Sequence, residues 1–238
     1  MAGRSKNENG VTVITATHRP DYMERLLANY RRQNYPNKEL IIVLNNNQFD
    51  LQRWRHSIGP YEDVSLIEMA GRRSLGYCYN YAVHRARFEI VAKFDDDDIY
   101  FPEYLRESVN ALVSTNADIV GKSCRYIYFA DLSTLALYCP NPENEFVSYV
   151  AGATMLIKRQ VFQKLGFADI TQGEDSKFQE ECLQMGFAIF SGDRHHYLTI
   201  RHSSRQNHTF PMSDLEYLQY CRIIPNPPLY LAECISRL

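Results

Sequence analysis

The sequence predicts an α/β protein: a mainly parallel sheet flanked by helices, followed by a smaller lobe of mixed strands. Two observations carry this class. Over the first half, short apolar β-branched runs alternate with amphipathic stretches, which is the rhythm of strand–helix–strand units. After about residue 116 the alternation gives way to sequence rich in β-branched and aromatic residues. A third observation adds chemistry: four aspartates follow a buried run directly, and open α/β sheets gather ligands at the carboxyl ends of their strands.

The elements follow in order. "VTVITA" (11–16) is a short apolar strand, and Tyr22, Leu26, Leu27 and Tyr30 after it share one face at helical spacing. "ELIIVLNN" (39–46) and "VSLIEM" (64–69) are the next strands, and "SLGYCYNYAVHRAR" (74–87) is an amphipathic helix. "EIVAKF" (89–94) leads into the aspartates, and "FPEYLRESVNALVST" (101–115) is a helix with proline near its start. Residues 117–139 read as short strands or hairpins, and 152–167 as a strand and a short helix. "GEDSKFQEECLQMGF" (173–187) opens a helix with two acids in its first turn. "HYLTIRH" (196–202) is a late strand, "MSDLEYLQYC" (212–221) a last helix, and "LYLAECISRL" an amphipathic tail expected to dock on its own domain. This divides the chain into a frayed terminus (1–10), one domain of two halves (11–115 and 116–210), and a C-terminal helix and tail (211–238).

Composition bounds the function. At 238 residues and 45 % hydrophobic, the chain can build one large core. A net charge of −2 argues against a nucleic-acid binder, which usually shows a basic excess. No apolar run is long enough to span a membrane, and the polar start lacks a signal-peptide core, so a cytoplasmic protein is expected. The six cysteines (78, 124, 139, 182, 221, 234) form no CxxC or Cys/His cluster, so reduced, packed thiols are expected.

In "EIVAKFDDDDIYFPEYL" (89–105), an extended chain would point Asp95 and Asp97 the same way, about 7 Å apart, with Asp96 opposite. Such a pair can share a divalent cation; without one, repulsion raises at least one pKa. A turn or helix cap needs a single acid, and Asp98 suits that role. An EF-hand loop is excluded because Ile99 and Tyr100 stand where oxygen ligands belong. An aspartyl-phosphate phosphatase would carry its acids after the first strand, and a nucleotidyltransferase would carry a glycine-rich basic loop there, where this chain has "ATHRP". What survives is a metal that neutralises a nucleotide diphosphate.

From about residue 11 to about 210 the chain resembles the inverting GT-A glycosyltransferases of the large bacterial family 2 type. The segments that carry the likeness are "VTVITATHRP", "YPNKELIIVLNNNQFD", "GRRSLGYCYNYAVHRARFEIVAKFDDDD", "GATMLIKRQVFQKLGF" and "GEDSKFQEECLQMGF". A fainter similarity runs to spore-coat polysaccharide glycosyltransferases. The resemblance implies a GT-A fold with a nucleotide-binding half and an acceptor half, an Asp-x-Asp motif, and a Mn²⁺ or Mg²⁺ cofactor. Asp97 would ligate the metal, with His202 as second ligand and His208 as its competitor; Asp95 would hold ribose or metal. Thr15, Thr17, Arg19, Arg73, Asn80 and Asp96 would line the nucleotide site. Glu174 and Asp175 would be the catalytic acid pair, with Asp175 as general base. Family members usually end the second strand in an aspartate that reads uracil, whereas here Leu44, Asn45 and Asn46 stand. The Asn45 carbonyl can accept from uracil N3–H, and flipped it can read cytosine.

The implied reaction transfers a sugar, with inversion, from a nucleotide-diphosphate donor (UDP or dTDP) to a saccharide or other hydroxyl acceptor in polysaccharide synthesis. Arg72 or Arg73 could add a cationic contact to the phosphates, and tyrosines 77, 79, 81, 126, 128 and 138 offer stacking faces. A non-catalytic nucleotide-sugar-binding module is the competing reading, and a homodimer is compatible with either.

Overall fold

The computed structural model describes residues 10–69, 71, 73–202 and 212–238. The first half alternates strictly: β1 (Val11–Thr17), α1 (Met23–Arg31), β2 (Lys38–Leu44), α2 (Leu51–Ile58), β3 (Val64–Glu68), α3 (Leu75–Val83) and β4 (Ile90–Lys93). Next come β5 (Ile99–Tyr100), α4 (Tyr104–Ser114), β6 (Ile119–Gly121), β7 (Arg125–Phe129), β8 (Thr134–Tyr138), β9 (Glu145–Phe146) and β10 (Leu156–Lys158). The chain finishes with α5 (Glu174–Gln184), β11 (Ile189–Ser191), β12 (Tyr197–Arg201), α6 (Asp214–Leu218), β13 (Arg222–Ile223) and α7 (Leu229–Ile235).

Eight strands form the main sheet in the order β3-β2-β1-β4-β10-β6-β11-β9. The first four run parallel, β10 opposes both neighbours, and β11 is parallel to β6. Strands buried on both faces read as unbroken apolar runs rather than alternating ones. Val11 and Val13 of β1 pack with α1, α2 and α4 on one side, while Ile14 packs with α3 and α5 on the other. A second sheet, β13-β8-β7-β12-β5, stands beside the first. Tyr126 and Leu198 on one of its faces pack against Leu231 of α7; Ile127 and Phe129 on the other pack against Tyr217 of α6. The amphipathic tail therefore docks on its own chain, with Leu231 fully buried.

Three details differ from expectation. Residues 51–58 form a helix that sequence reading leaves out: "LQRWRHSI" carries only Leu51, Trp54 and Ile58 as apolar residues, with Trp54 buried against Phe49 in an edge-to-face contact and the other two packed at the core's edge. Asp50 caps it by accepting from the Arg53 N–H at 3.0 Å. The helix expected from residue 101 begins at Tyr104, because Tyr100 is drawn into β5 opposite Tyr197. Lastly, the six cysteines are not all free. Arg125 pairs with Tyr138 across β7 and β8, so Cys124 and Cys139 are the next cross-strand pair, and they are joined as a disulfide. Their separation of 15 residues gives no motif to read. Among the described residues, no helix is long and apolar enough to cross a membrane.

Candidate active site

β4 ends at Lys93, and the aspartates turn away through a bend instead of continuing the strand. Each then finds its own surroundings. Asp96 folds back onto β1, accepting from Thr17 Oγ1 at 2.5 Å and Arg19 Nε at 3.2 Å, and Arg19 also forms an ion pair with its other oxygen. The same guanidinium reaches Asp97 Oδ2 at 2.9 Å. Burial works against the Arg19 charge, but Asp97 and Asp96 outweigh it and hold the group above its usual range. Asp98 is no helix cap. Its carboxylate accepts from the Tyr197 hydroxyl and, at 3.1 Å, from the Ile200 N–H of β12, inside the core.

Asp95, Asp97 and Asp98 converge: one carboxylate oxygen from each lies within 4.8 Å of the others. Burial pushes Asp97 up to about 7 against the pull of Arg19, and Asp96 and Asp95 add to the push. Three hard oxygen donors, one of them destabilised as an anion, suit Mg²⁺ or Mn²⁺. Each already has a partner: Lys93 on Asp95, Arg19 on Asp97, and Tyr197 and Ile200 on Asp98, and each carboxylate keeps lone pairs that could meet a cation.

Sequence reading passed over Lys93, although one lysine in an otherwise apolar strand is itself a signal. Only 2 % exposed, it donates to Asp95 Oδ1 at 2.9 Å and lies 4.8 Å from the centre of the Tyr79 ring. Burial would discharge it, but Asp95 first, then Tyr79, Asp175 and Glu174, keep it charged well above its ordinary range. Lys93 thus stands electrostatically between the aspartate bend and the acids that open α5.

Those two acids part company. Gly173 takes a left-handed φ of +76° to start α5, a conformation glycine adopts without strain. Glu174 then turns inward, where burial raises it to about 7 while Lys93 opposes. Asp175 faces the cleft, its Oδ1 accepting from the Ser176 N–H at 2.7 Å. Its other oxygen fills space that Gly152 leaves free: a β-carbon at 152 would lie 1.8 Å from Oδ2.

The cleft holding these groups, of about 630 Å³, opens between the two sheets. Arg19, the aspartate bend and Tyr79 line it from the main sheet, and Arg125, Tyr138, Arg201 and Tyr217 from the second. Of the residues singled out in the sequence, Arg19, Asp95, Asp96, Asp97 and Asp175 share this lining, and Thr17 supports Asp96 from below. Thr15, Asn45, Arg73, Asn80, Glu174 and His202 are not among its lining residues. Thr15 is buried within β1, its hydroxyl without a hydrogen-bond partner. Asn80 is occupied by the Phe167 backbone, donating to its carbonyl at 2.7 Å and accepting from its N–H at 2.9 Å. Asn45 donates to the Arg73 carbonyl at 2.9 Å, leaving its own Oδ1 unpartnered; Arg73 is exposed over Tyr77, 4.9 Å from the ring centre. His202 follows β12 but lies outside the three-aspartate group, and Arg72 and His208 fall outside the described residues. Of the six tyrosines, Tyr79 and Tyr138 reach the cleft.

Residues 12–166 match the family model for glycosyl transferase family 2. The chain belongs to that family. Among family relatives it is similar to the O-antigen biosynthesis glycosyltransferase WbnJ of Escherichia coli, 26 % identical over 161 residues, which is 65 % of this chain and 63 % of WbnJ. An uncharacterised glycosyltransferase of Rickettsia prowazekii is 23 % identical over 170 residues, 66 % of this chain and 52 % of that protein. The chain thus spans between half and two thirds of the length of these curated relatives. Among solved structures, the mannosyltransferase PcManGT of Pyrobaculum calidifontis, in complex with GDP-Man and Mn²⁺, aligns at a TM-score of 0.65 and 19 % identity, covering 84 % of this chain and 59 % of that one. S. aureus TarS 1–349 in complex with UDP-GlcNAc aligns at 0.63 and 15 % identity, covering 81 % and 58 %. Likeness of this order shows the fold, which is the GT-A fold expected from the sequence.

Proposed function

We propose that this family 2 chain is a metal-dependent glycosyltransferase that moves a sugar, with inversion, from a nucleotide-diphosphate donor to a hydroxyl acceptor. One observation carries the reading: the Asp95–Asp97 carboxylates and the Asp175 carboxylate line one cleft. Asp97 and Asp95 would hold Mg²⁺ or Mn²⁺, and that cation supplies charge stabilisation for a departing diphosphate. His202 as a further ligand is part of the proposal.

The chain's own residues do the rest. Thr17 and Arg19 fix Asp96 and orient Asp97, and Lys93 holds Asp95 in place. Asp175 takes the proton from the acceptor hydroxyl as that oxygen bonds to the anomeric carbon. The bond from that carbon to the donor's phosphate oxygen breaks on the opposite face, and its electron pair leaves with the nucleoside diphosphate. Glu174, buried and turned inward, assists as a neighbour of Asp175 and does not meet the acceptor.

A uridine or thymidine donor is the preferred reading. Asn45, whose Oδ1 is buried without a partner, would turn from its bond to the Arg73 carbonyl to accept from the N3–H of uracil or thymine. The neighbours themselves carry different bases, UDP-GlcNAc in one and GDP-Man in another. The O-antigen role in the name of WbnJ supports polysaccharide or glycoconjugate synthesis. A cytoplasmic setting and a homodimer complete the proposal.

A thermal-shift panel of UDP, dTDP, CDP and GDP, each with and without Mn²⁺, tests donor and metal together, because only ligands that bind the native state raise its melting point. UDP or dTDP should stabilise most and only with metal. Release of nucleoside diphosphate from the corresponding nucleotide sugar then separates a transferase from a binding module.

A further inference from the structure

The second-sheet wall of the cleft carries a positive charge that no carboxylate among the described residues answers. Three arginines line the cleft. Arg19 is paired with Asp96 and Asp97, and Arg201 is paired with Asp214 at 2.6 Å. Arg125, the first residue of β7, has no carboxylate partner among the described residues. Neutral groups hold it instead: it donates to the Ser123 carbonyl at 3.2 Å and to the Tyr217 hydroxyl at 3.0 Å, and its guanidinium lies 5.1 Å from the centre of the Tyr138 ring. Two hydrogen bonds and a ring face fix the position of the fork without neutralising it, which is how an arginine is prepared for a planar oxyanion.

Its neighbourhood is that of the proposed base. The half-buried Tyr149, which also lines the cleft, lies within the fields of both groups: burial raises its phenol, Asp175 adds, and Arg125 opposes. Asn141 fastens this wall, donating to Ser123 Oγ at 3.0 Å and to the Tyr149 carbonyl at 3.4 Å. Under the transferase reading, the donor's phosphates would meet the cation held by Asp95 and Asp97, which leaves Arg125 for another anion.

We propose that Arg125 is the anion-recognition element of the acceptor site, and that the acceptor is an anionic saccharide carrying a carboxylate or phosphate close to the hydroxyl that is glycosylated. Tyr138, Tyr149 and Tyr217 give that sugar apolar faces and hydroxyl contacts around the charge. The proposal rests on the transferase reading of the same cleft.

The test measures binding of methyl glucuronide, glucose 6-phosphate and methyl glucoside to the full chain saturated with UDP and Mn²⁺. At least one of the two anionic probes should bind roughly tenfold or more tightly than the glucoside, as a charge-assisted hydrogen bond allows. Which of the two binds tighter distinguishes carboxylate from phosphate. Arg125→Met should erase the preference with UDP affinity unchanged, and Arg125→Lys should restore part of it in a protein with the same melting point. If neither anionic probe outbinds the glucoside, or if Arg125→Met weakens UDP instead, the assignment is wrong. Donor hydrolysis by the unsubstituted chain is measured separately: its absence overturns the transferase reading and leaves the binding result to judge Arg125 alone.

Discussion

Gly152 and Asp175 occupy complementary space: the carboxylate of one enters the volume that any side chain on the other would fill, with 1.8 Å between Asp175 Oδ2 and a β-carbon built at 152. The proposed base is therefore positioned by an absence. Gly152→Ala should displace Asp175 by an ångström or more and lower transfer about a hundredfold, with affinity for UDP and Mn²⁺ within a factor of about three. A steady-state assay beside a titration reads both. Full activity in the alanine variant would mean Asp175 does not work from this position.

Asp175→Asn removes the proton acceptor and keeps the shape. Transfer should fall by about 10²–10⁴ while donor binding stays near its original value. If transfer persists at the original rate, another group is the base.

The metal-free protein should lose stability as pH rises through neutrality. Burial raises the folded pKa of Asp97 from 3.8 to about 7, so between those values the folded state binds more protons than the unfolded one. That contribution is fully present below about 4 and is lost as pH climbs through about 7; Glu174, raised from 4.5 to about 7, acts in the same sense. Asp97→Asn should flatten the slope. Mn²⁺ needs the ionised carboxylate, so its stabilising shift should grow over the same window and be lost in Asp97→Asn. Melting temperatures from about pH 5 to 8, with and without Mn²⁺, check both.

Lys93 is buried against carboxylates, and removing one member of such a set leaves the others uncompensated. Lys93→Met should cost about 3 kcal/mol, read from denaturant midpoints. Adding Glu174→Gln should recover part of that loss, since the second change removes one of the stranded charges. No recovery would mean that the two do not share a field.

Cys124 and Cys139 should resist alkylation until reductant is added, while Cys221 and Cys234, both partly exposed, react first. Closing a loop of this size is worth about 3 kcal/mol, so reduction should lower the melting point by several degrees. Acid-quenched cell extracts add a further reading: a protein working in the reducing cytoplasm should be found with this pair as thiols.

Much of the fold was legible because doubly buried parallel strands advertise themselves: "VTVITA", "ELIIVLNN" and "EIVAKF" all lie in the main sheet. What stayed hidden depends on partners distant in sequence. The two-residue β5 has no pattern of its own and exists because β12 pairs with it; α2 offers only Leu51, Trp54 and Ile58 among polar residues. The site divides the same way. Asp95, Asp97, Asp175 and Arg19 could be singled out by residue type and order, whereas Asn80 has the right chemistry but is taken by the Phe167 backbone. Arg125 and Gly152 matter only through what the fold sets opposite them.

β5 follows the aspartate bend by a single step and belongs to the second sheet, while Lys93 ahead of the bend belongs to the first. The bend is therefore one of the crossings that join the two slabs, and Asp98 is pinned to the far one through Ile200. If the slabs rock about their common mouth, the carboxylates must ride with them. Seating a sugar on one side and gripping an ion on the other would then be a single mechanical event.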